Sequence, residues 1–283
     1  MISITKIQDI IFKSPMVEND IKSLKKIKEE RCSVSRFGDG EMALVNQQNI
    51  KFQKHDELLA RRLEEVLESN EKDMLICIPN IFRVDSLKYL TYESKVFWLN
   101  ELIKNRKIWY NVPKKDKLYY DACITRPYIR SKDKQHSKEI FELLKEIWKE
   151  RDVVIIEGAH SRLGVGNDLF NNTNSLHRVL CPPKDAFKKY DEILQYVIEY
   201  VKKDRLLLIS LGPTATVMAY DLHRSGYQAI DLGHIDLEYE WFLKNAKERI
   251  MIKNKAVNEL AEEALIQECR DEKYQREILV EIK

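Results

Sequence analysis

The sequence predicts an α/β protein with a Rossmann-like, doubly wound and mostly parallel sheet, followed by a charged helical tail. Three observations carry this reading. Four short apolar runs each lead into a glycine, helical patterns lie between them, and half of the eight glycines sit at those run ends. None occurs before Gly38, and none between Gly40 and Gly158.

The runs are Ser33 to Phe37 before Gly38, Val153 to Glu157 before Gly158, Leu206 to Leu211 before Gly212, and Ala229 to Leu232 before Gly233. Continuous apolar runs of this length suit strands buried on both faces of a parallel sheet. A glycine at the strand end lets the backbone turn tightly or approach a ligand. Glu57 to Glu68, Lys134 to Glu150 and Ala186 to Lys202 space apolar residues three and four apart, as amphipathic helices do; Thr214 to Arg224 follows the Leu206 strand directly. Alternating strands and helices imply a crevice for ligands beyond the strands' carboxyl ends. Residues 82 to 130 are rich in aromatics and read as helices plus an irregular loop capping the site. Residues 1–250 form one domain on this reading, and residues 251–283 a charged, helical extension.

Composition narrows the function. A 283-residue chain with 44% hydrophobic and 33% charged residues suits a soluble globular fold. Its 48 basic and 46 acidic residues nearly balance, without the basic excess of a nucleic-acid binder. The five cysteines, Cys32, Cys77, Cys123, Cys181 and Cys269, lack CxxC spacing. Cys77 lies in the apolar run Met74 to Ile78, so buried thiols in a reducing compartment are expected. The amino-terminal stretch lacks a signal peptide's apolar core, and no run approaches the ~20 apolar residues that span a bilayer. The expectation is a cytoplasmic protein without a transmembrane segment.

Five segments can carry chemistry. Arg36-Phe37-Gly38-Asp39-Gly40-Glu41 places two carboxylates two residues apart; on extended backbone both would face one divalent cation, Mg²⁺ or Mn²⁺. The alternative is a turn in which Asp39 caps a helix starting near Glu41. Glu157 to Asp168 is a polar loop without dinucleotide or P-loop spacing, whose glycines could still expose amides to an anion beside Arg162. Gly212-Pro213-Thr214-Ala215-Thr216 opens a helix whose amino end suits a phosphate. Asp231, His234, Asp236 and Glu240 cluster behind the last run, with Asp236 and Glu240 one helical turn apart; such like charges need a cation, a proton or a partner base. Arg126, beside Pro127, could clamp a diphosphate or pair with a surface acid.

Taken together, these segments, with Thr125-Arg126-Pro127-Tyr128 and the stretch from Asp231 to Trp241, resemble the bacterial glycosyltransferases of the GT-D fold, formerly a domain of unknown function (DUF1792). The resemblance runs from about residue 20 to 250. It implies a metal-dependent enzyme that moves a hexose, glucose first among the candidates, from a UDP-sugar to a glycan or glycoprotein in surface glycan assembly. The family's DxE metal motif matches Asp39 and Glu41. The nucleotide-sugar pocket would draw on Arg36, Gly38, Arg126, Glu157, Arg162, Gly164, Gly166, Asn167, Asp168 and Gly212 through Thr216. Asp231, His234, Asp236 and Glu240 are the candidates for the base an inverting transfer needs. A metal-dependent phosphohydrolase or a non-catalytic nucleotide-binding module could use the same phosphate loops.

Overall fold

A computed structural model describes residues 14–257 and 267–283. Nine strands form one sheet. They are β1 (Met16–Val17), β2 (Ser33–Arg36), β3 (Met74–Ile78), β4 (Leu118–Asp121), β5 (Asp152–Gly158), β6 (Ser175–Cys181), β7 (Leu206–Ser210), β8 (Gln228–Asp231) and β9 (Ile278–Glu281). Every pairing is parallel, in the order β1-β4-β3-β2-β8-β7-β5-β6-β9. The chain steps outward from β2 through β3 to β4, restarts at β5 on the other side, and returns through β7 and β8 to the flank of β2. Strand order therefore reverses between β2 and β8, where open α/β sheets leave a crevice at the carboxyl ends.

The helices are α1 (Asp20–Glu30), α2 (Asp39–Val45), α3 (Glu57–Glu68), α4 (Val84–Leu87), α5 (Tyr92–Lys104), α6 (Arg106–Asn111), α7 (Lys134–Trp148), α8 (Tyr190–Tyr200), α9 (Pro213–Arg224), α10 (Ile235–Leu243) and α11 (Glu272–Glu277). They cover both faces of the sheet. In β7, Leu206 and Leu208 join a core containing Ile140 and Leu144 of α7, while Leu207 and Ile209 join another containing Met218 and Leu222 of α9. That two-sided burial explains the unbroken apolar runs. The four expected strands are β2, β5, β7 and β8, and α3 coincides with the predicted helix Glu57 to Glu68.

Two expectations need correction. Residues 82 to 130 hold a strand, β4, besides their helices; the residues after it turn toward the crevice. The tail is not mostly helical where it is described: residues 249–257 hold neither helix nor strand, and the six residues of α11 lead into β9, which adds parallel to β6. The remainder of the helical expectation, residues 258–266, lies outside the described residues. Among the described residues all five cysteines are free, with Cys32, Cys77 and Cys181 buried, and no helix is long and apolar enough to cross a membrane.

Candidate active site

One cleft opens at the carboxyl ends of β2, β5, β7 and β8. Arg36 through Glu41, Gly158, Ser161, Leu163, Ser210 through Gly212, Asp231, Gly233, His234 and Asp236 line it, joined by Trp98, Arg126 and Arg130. The helix-and-loop region before α7 thus contributes to the wall.

Arg36 is a clamp between strand ends. Its Nε donates to the Asp231 carbonyl at 2.9 Å, its Nη2 to Asp231 Oδ1 at 3.2 Å and its Nη1 to the Ala122 carbonyl at 3.2 Å. This clamp explains Gly233, whose φ is 49°: a Cβ there would fall on the Arg36 guanidinium. Asp231 Oδ1 also accepts the Gly233 N–H at 3.0 Å, and the Thr216 hydroxyl oxygen lies 3.4 Å from Oδ2 while its proton goes to the Arg36 carbonyl. Burial raises the Asp231 pKa, and the Arg36 charge opposes that rise.

Asp39 and Glu41 do not lie on extended backbone. They occupy the first and third positions of α2 behind Gly38, so their side chains point about 200° apart around the helix. The same-side argument for a shared cation therefore fails. Capping falls to the other carboxylate: Glu41 Oε2 accepts the Gly38 N–H at 2.7 Å. Burial, then the charge of Asp231, pushes the Glu41 pKa up to about 7. Asp39 is exposed and makes no hydrogen bond or ion pair among the described residues. Hard cations are commonly held by one or two carboxylates plus substrate phosphates. The donor set fits such an ion: Asp39 has its oxygens uncommitted, and a cation would relieve the crowding of Glu41 by Asp231.

Gly212 has φ 55° and packs against the Phe52 ring, which any Cβ would overlap. Gly212 lines the cleft, whereas Pro213, Thr214, Ala215 and Thr216 form the first turn of α9 behind the lining. Thr216 Oγ1 donates to the Arg36 carbonyl at 2.9 Å, tying α9 to β2. Among the described residues, Thr214 Oγ1 is buried without a hydrogen-bond partner.

The loop after β5 is built differently. The amides of Ala159, Ser161, Val165 and Asn167 donate to backbone carbonyls; those of Leu163 and Gly164 donate to Glu157 and Asp236, each at 2.8 Å. It is not the open anion cradle its glycines suggested. Glu157 is fully buried and takes Arg178 Nη1 at 2.5 Å; Arg178 Nε reaches Glu277 at 2.7 Å. Arg162 donates to the carbonyls of Asn254 and Gln267 at 3.0 and 2.6 Å, so it holds the tail. Asp168 accepts from Lys145 and from the Tyr239 hydroxyl. Glu157, Arg162, Gly164, Gly166, Asn167 and Asp168 all lie outside the cleft lining.

The acids of α10 find the cation their spacing demanded. Lys255, buried to 3% exposure, donates to Asp236 Oδ2 at 2.6 Å and to Glu240 Oε1 at 3.1 Å. Asn167 Nδ2 bridges the same two carboxylates, at 2.9 and 2.8 Å. Glu240 also pairs with Lys244 and stands outside the lining; Asp236 is in it. Lys255 was not foreseen: in Ile252-Lys253-Asn254-Lys255-Ala256-Val257 nothing local separates it from its neighbour Lys253.

Arg126 Nη2 lies 2.6 Å from His234 Nδ1. Arg130, also not foreseen, rests over the rings of Phe97 and Trp98 at 5.6 and 5.3 Å, and among the described residues no carboxylate forms an ion pair with it. Burial and the neighbouring charge of Arg126 disfavour its cationic form, while Asp39 favours it. Its signal was its place four residues after Arg126. A cation so placed in a cleft favours an anionic ligand.

Comparison with known proteins bears on the family and the fold. Residues 34–260 match the family model "Glycosyltransferase GT-D fold". The chain is 38% identical over 263 residues to "Probable glycosyl transferase Gly" of Streptococcus gordonii, and 37% identical over 262 residues to "Glycosyltransferase GlyD" of Streptococcus pneumoniae serotype 4. Each alignment covers 92% of this chain but only 38% and 32% of those relatives, so the chain spans about a third of their length. A solved structure described as "The highly conserved domain of unknown function 1792 has a distinct glycosyltransferase fold" superposes with a TM-score of 0.93 at 38% identity, covering 99% of this chain and all of that one. With the fold, the motif order and these relatives in agreement, the chain belongs to the GT-D-fold family of glycosyltransferases.

Proposed function

We propose that the protein transfers a hexose, with glucose the first candidate, from a UDP-sugar to a glycan or glycoprotein acceptor in surface glycan assembly, with Mn²⁺ or Mg²⁺ as cofactor. The observation that carries this reading is the cleft's charge arrangement. Asp39, a carboxylate uncommitted among the described residues, faces Arg130, an arginine in no ion pair among them, across a rim that also carries the Gly212 helix start. A nucleoside diphosphate bridging a carboxylate-held cation and arginines satisfies both sides at once.

Asp39, with Glu41 as second candidate ligand, would hold the divalent cation, which when bound neutralises charge on the departing diphosphate. Arg126 and Arg130 supply further positive charge to the same group, and the amino end of α9 adds its dipole. Arg36 holds Asp231 in place beside them. Of the acceptor-side candidates, Asp236 and Glu240 are each held by Lys255 and Asn167. Asp231 is better suited to accept a proton, because Oδ2 has one long contact and burial raises its proton affinity.

Incubating the protein with a panel of nucleotide sugars and Mn²⁺, with and without acceptor glycans, tests this. Acceptor-dependent release of UDP, abolished by chelation, is expected. Release of phosphate from simple phosphate esters without acceptor would support a phosphohydrolase instead, and nucleotide binding without turnover a binding module.

A further inference from the structure

We infer that Arg126 locks His234 into the neutral tautomer with its proton on Nε2, making His234 a hydrogen-bond donor to the leaving diphosphate and removing it from the candidate bases. The donor role rests on the glycosyl-transfer reading above; the tautomer does not. The two side chains meet at 2.6 Å between Arg126 Nη2 and His234 Nδ1. A guanidinium has five N–H donors and no lone pair to offer, so Nδ1 is the acceptor. Neutral imidazole carries a single N–H, which then resides on Nε2. Neither nitrogen can accept the acceptor's proton: Nε2 already holds one, and a proton on Nδ1 would face the guanidinium.

The backbone places this donor firmly. His234 immediately precedes α10 and follows Gly233, whose conformation is dictated by the Arg36 side chain. Gly233 and His234 line the cleft together with Asp39 and Gly212. In the transfer, the bond between the sugar's anomeric carbon and the β-phosphate oxygen breaks, and its electron pair stays on that oxygen. A bond forms from the acceptor oxygen to the same carbon, and the acceptor's proton passes to a carboxylate, Asp231 on the reading above. An N–H at Nε2 stabilises the pair on the departing oxygen without giving up its proton. Toward His234, Arg126 acts as a positioning residue, a role separate from the charge it lends the diphosphate.

Two measurements test this. Long-range ¹H–¹⁵N NMR of the uniformly labelled full chain should show His234, assigned by the signals lost in His234→Gln, with Nδ1 unprotonated and Nε2 protonated. Arg126→Ala should shift that pattern toward the tautomer protonated on Nδ1. In UDP-sugar transfer, His234→Ala should lose about 10²- to 10³-fold in kcat, while His234→Gln, which keeps an N–H near the Nε2 position but cannot act as a base, should lose less than about tenfold. A proton found on Nδ1, or a Gln variant as slow as the Ala variant, overturns the inference. A parent protein that turns over no nucleotide sugar overturns the glycosyl-transfer reading and the donor role with it, while the NMR spectrum still decides the tautomer.

Discussion

The turn after β7 and the loop after β5 look alike as sequence: an apolar run, a glycine, then small and polar residues. In the fold they are opposites. The β7 turn brings Gly212 to the cleft and points the amino end of α9 toward it. The β5 loop closes on itself and on its neighbours through Glu157, Asn167 and Asp236, and holds the tail through Arg162. A glycine therefore marks a backbone demand without saying whether the demand comes from a ligand or from the chain. Even Gly212 answers partly to the Phe52 ring beneath it.

If the β5 loop is scaffold and the open rim is machinery, damage to each should read out differently. The largest effect should come from Lys255→Met, which strands Asp236 and Glu240 without their buried cation and should cost about 3–5 kcal/mol in denaturant unfolding. UDP affinity of the folded fraction, measured by calorimetry, should hold; a variant that melts like the parent but no longer binds UDP would move this network into the site. Asp39→Ala should do the reverse, lowering transfer by about 10²- to 10³-fold with the melting temperature unchanged, because the side chain is exposed and unpaired. Full activity of that variant under chelation would break the contrast. Gly212→Ala should fall between, costing roughly 1–3 kcal/mol from its positive φ and the Phe52 overlap, together with a loss of UDP affinity.

The last effect is read as a slope per pH unit and concerns Asp121, at the end of β4. Burial pushes its pKa from 3.8 up to about 7, although its Oδ1 accepts the Cys123 N–H at 2.8 Å. A carboxyl whose pKa is raised on folding stabilises the fold while protonated. Its contribution is complete below pH 3.8 and is lost as the pH rises toward 7. Asp121→Asn should remove this component, at most about 1.4 kcal/mol per pH unit, from a pH series of unfolding curves. An identical slope in parent and variant would place the titration elsewhere.

Much of the architecture was legible because the central strands are buried on both faces and must be apolar throughout. The peripheral strands were not. β6 carries His177 and Arg178 within its run, β4 reads Leu118-Tyr119-Tyr120-Asp121 with its first residue exposed, and β9 is four residues inside a charged tail. The site was legible as a set of segments but not as a set of contacts. Period-two spacing aligns carboxylates only in a strand, and the chain had already entered α2 at Asp39. The pairing of Asp236 and Glu240 announced a missing cation, yet nothing local indicated that Lys255 would supply it from beyond the helix. Arg130 escaped notice because its support is two aromatic faces from α5, a contact without a sequence period.

The last strand has a consequence for how the chain matures. β9 pairs with a strand made roughly 100 residues earlier, Ile278 against Arg178. During synthesis β6 must therefore stand as a bare sheet edge until roughly 100 further residues have been added, with Arg178 holding Glu157 but not yet Glu277. Unpaired parallel edges invite association with other chains. A chain cut before Glu272 would keep every residue of the cleft lining and still carry that open edge. Its expected failure is aggregation as it is made rather than a loss of chemistry.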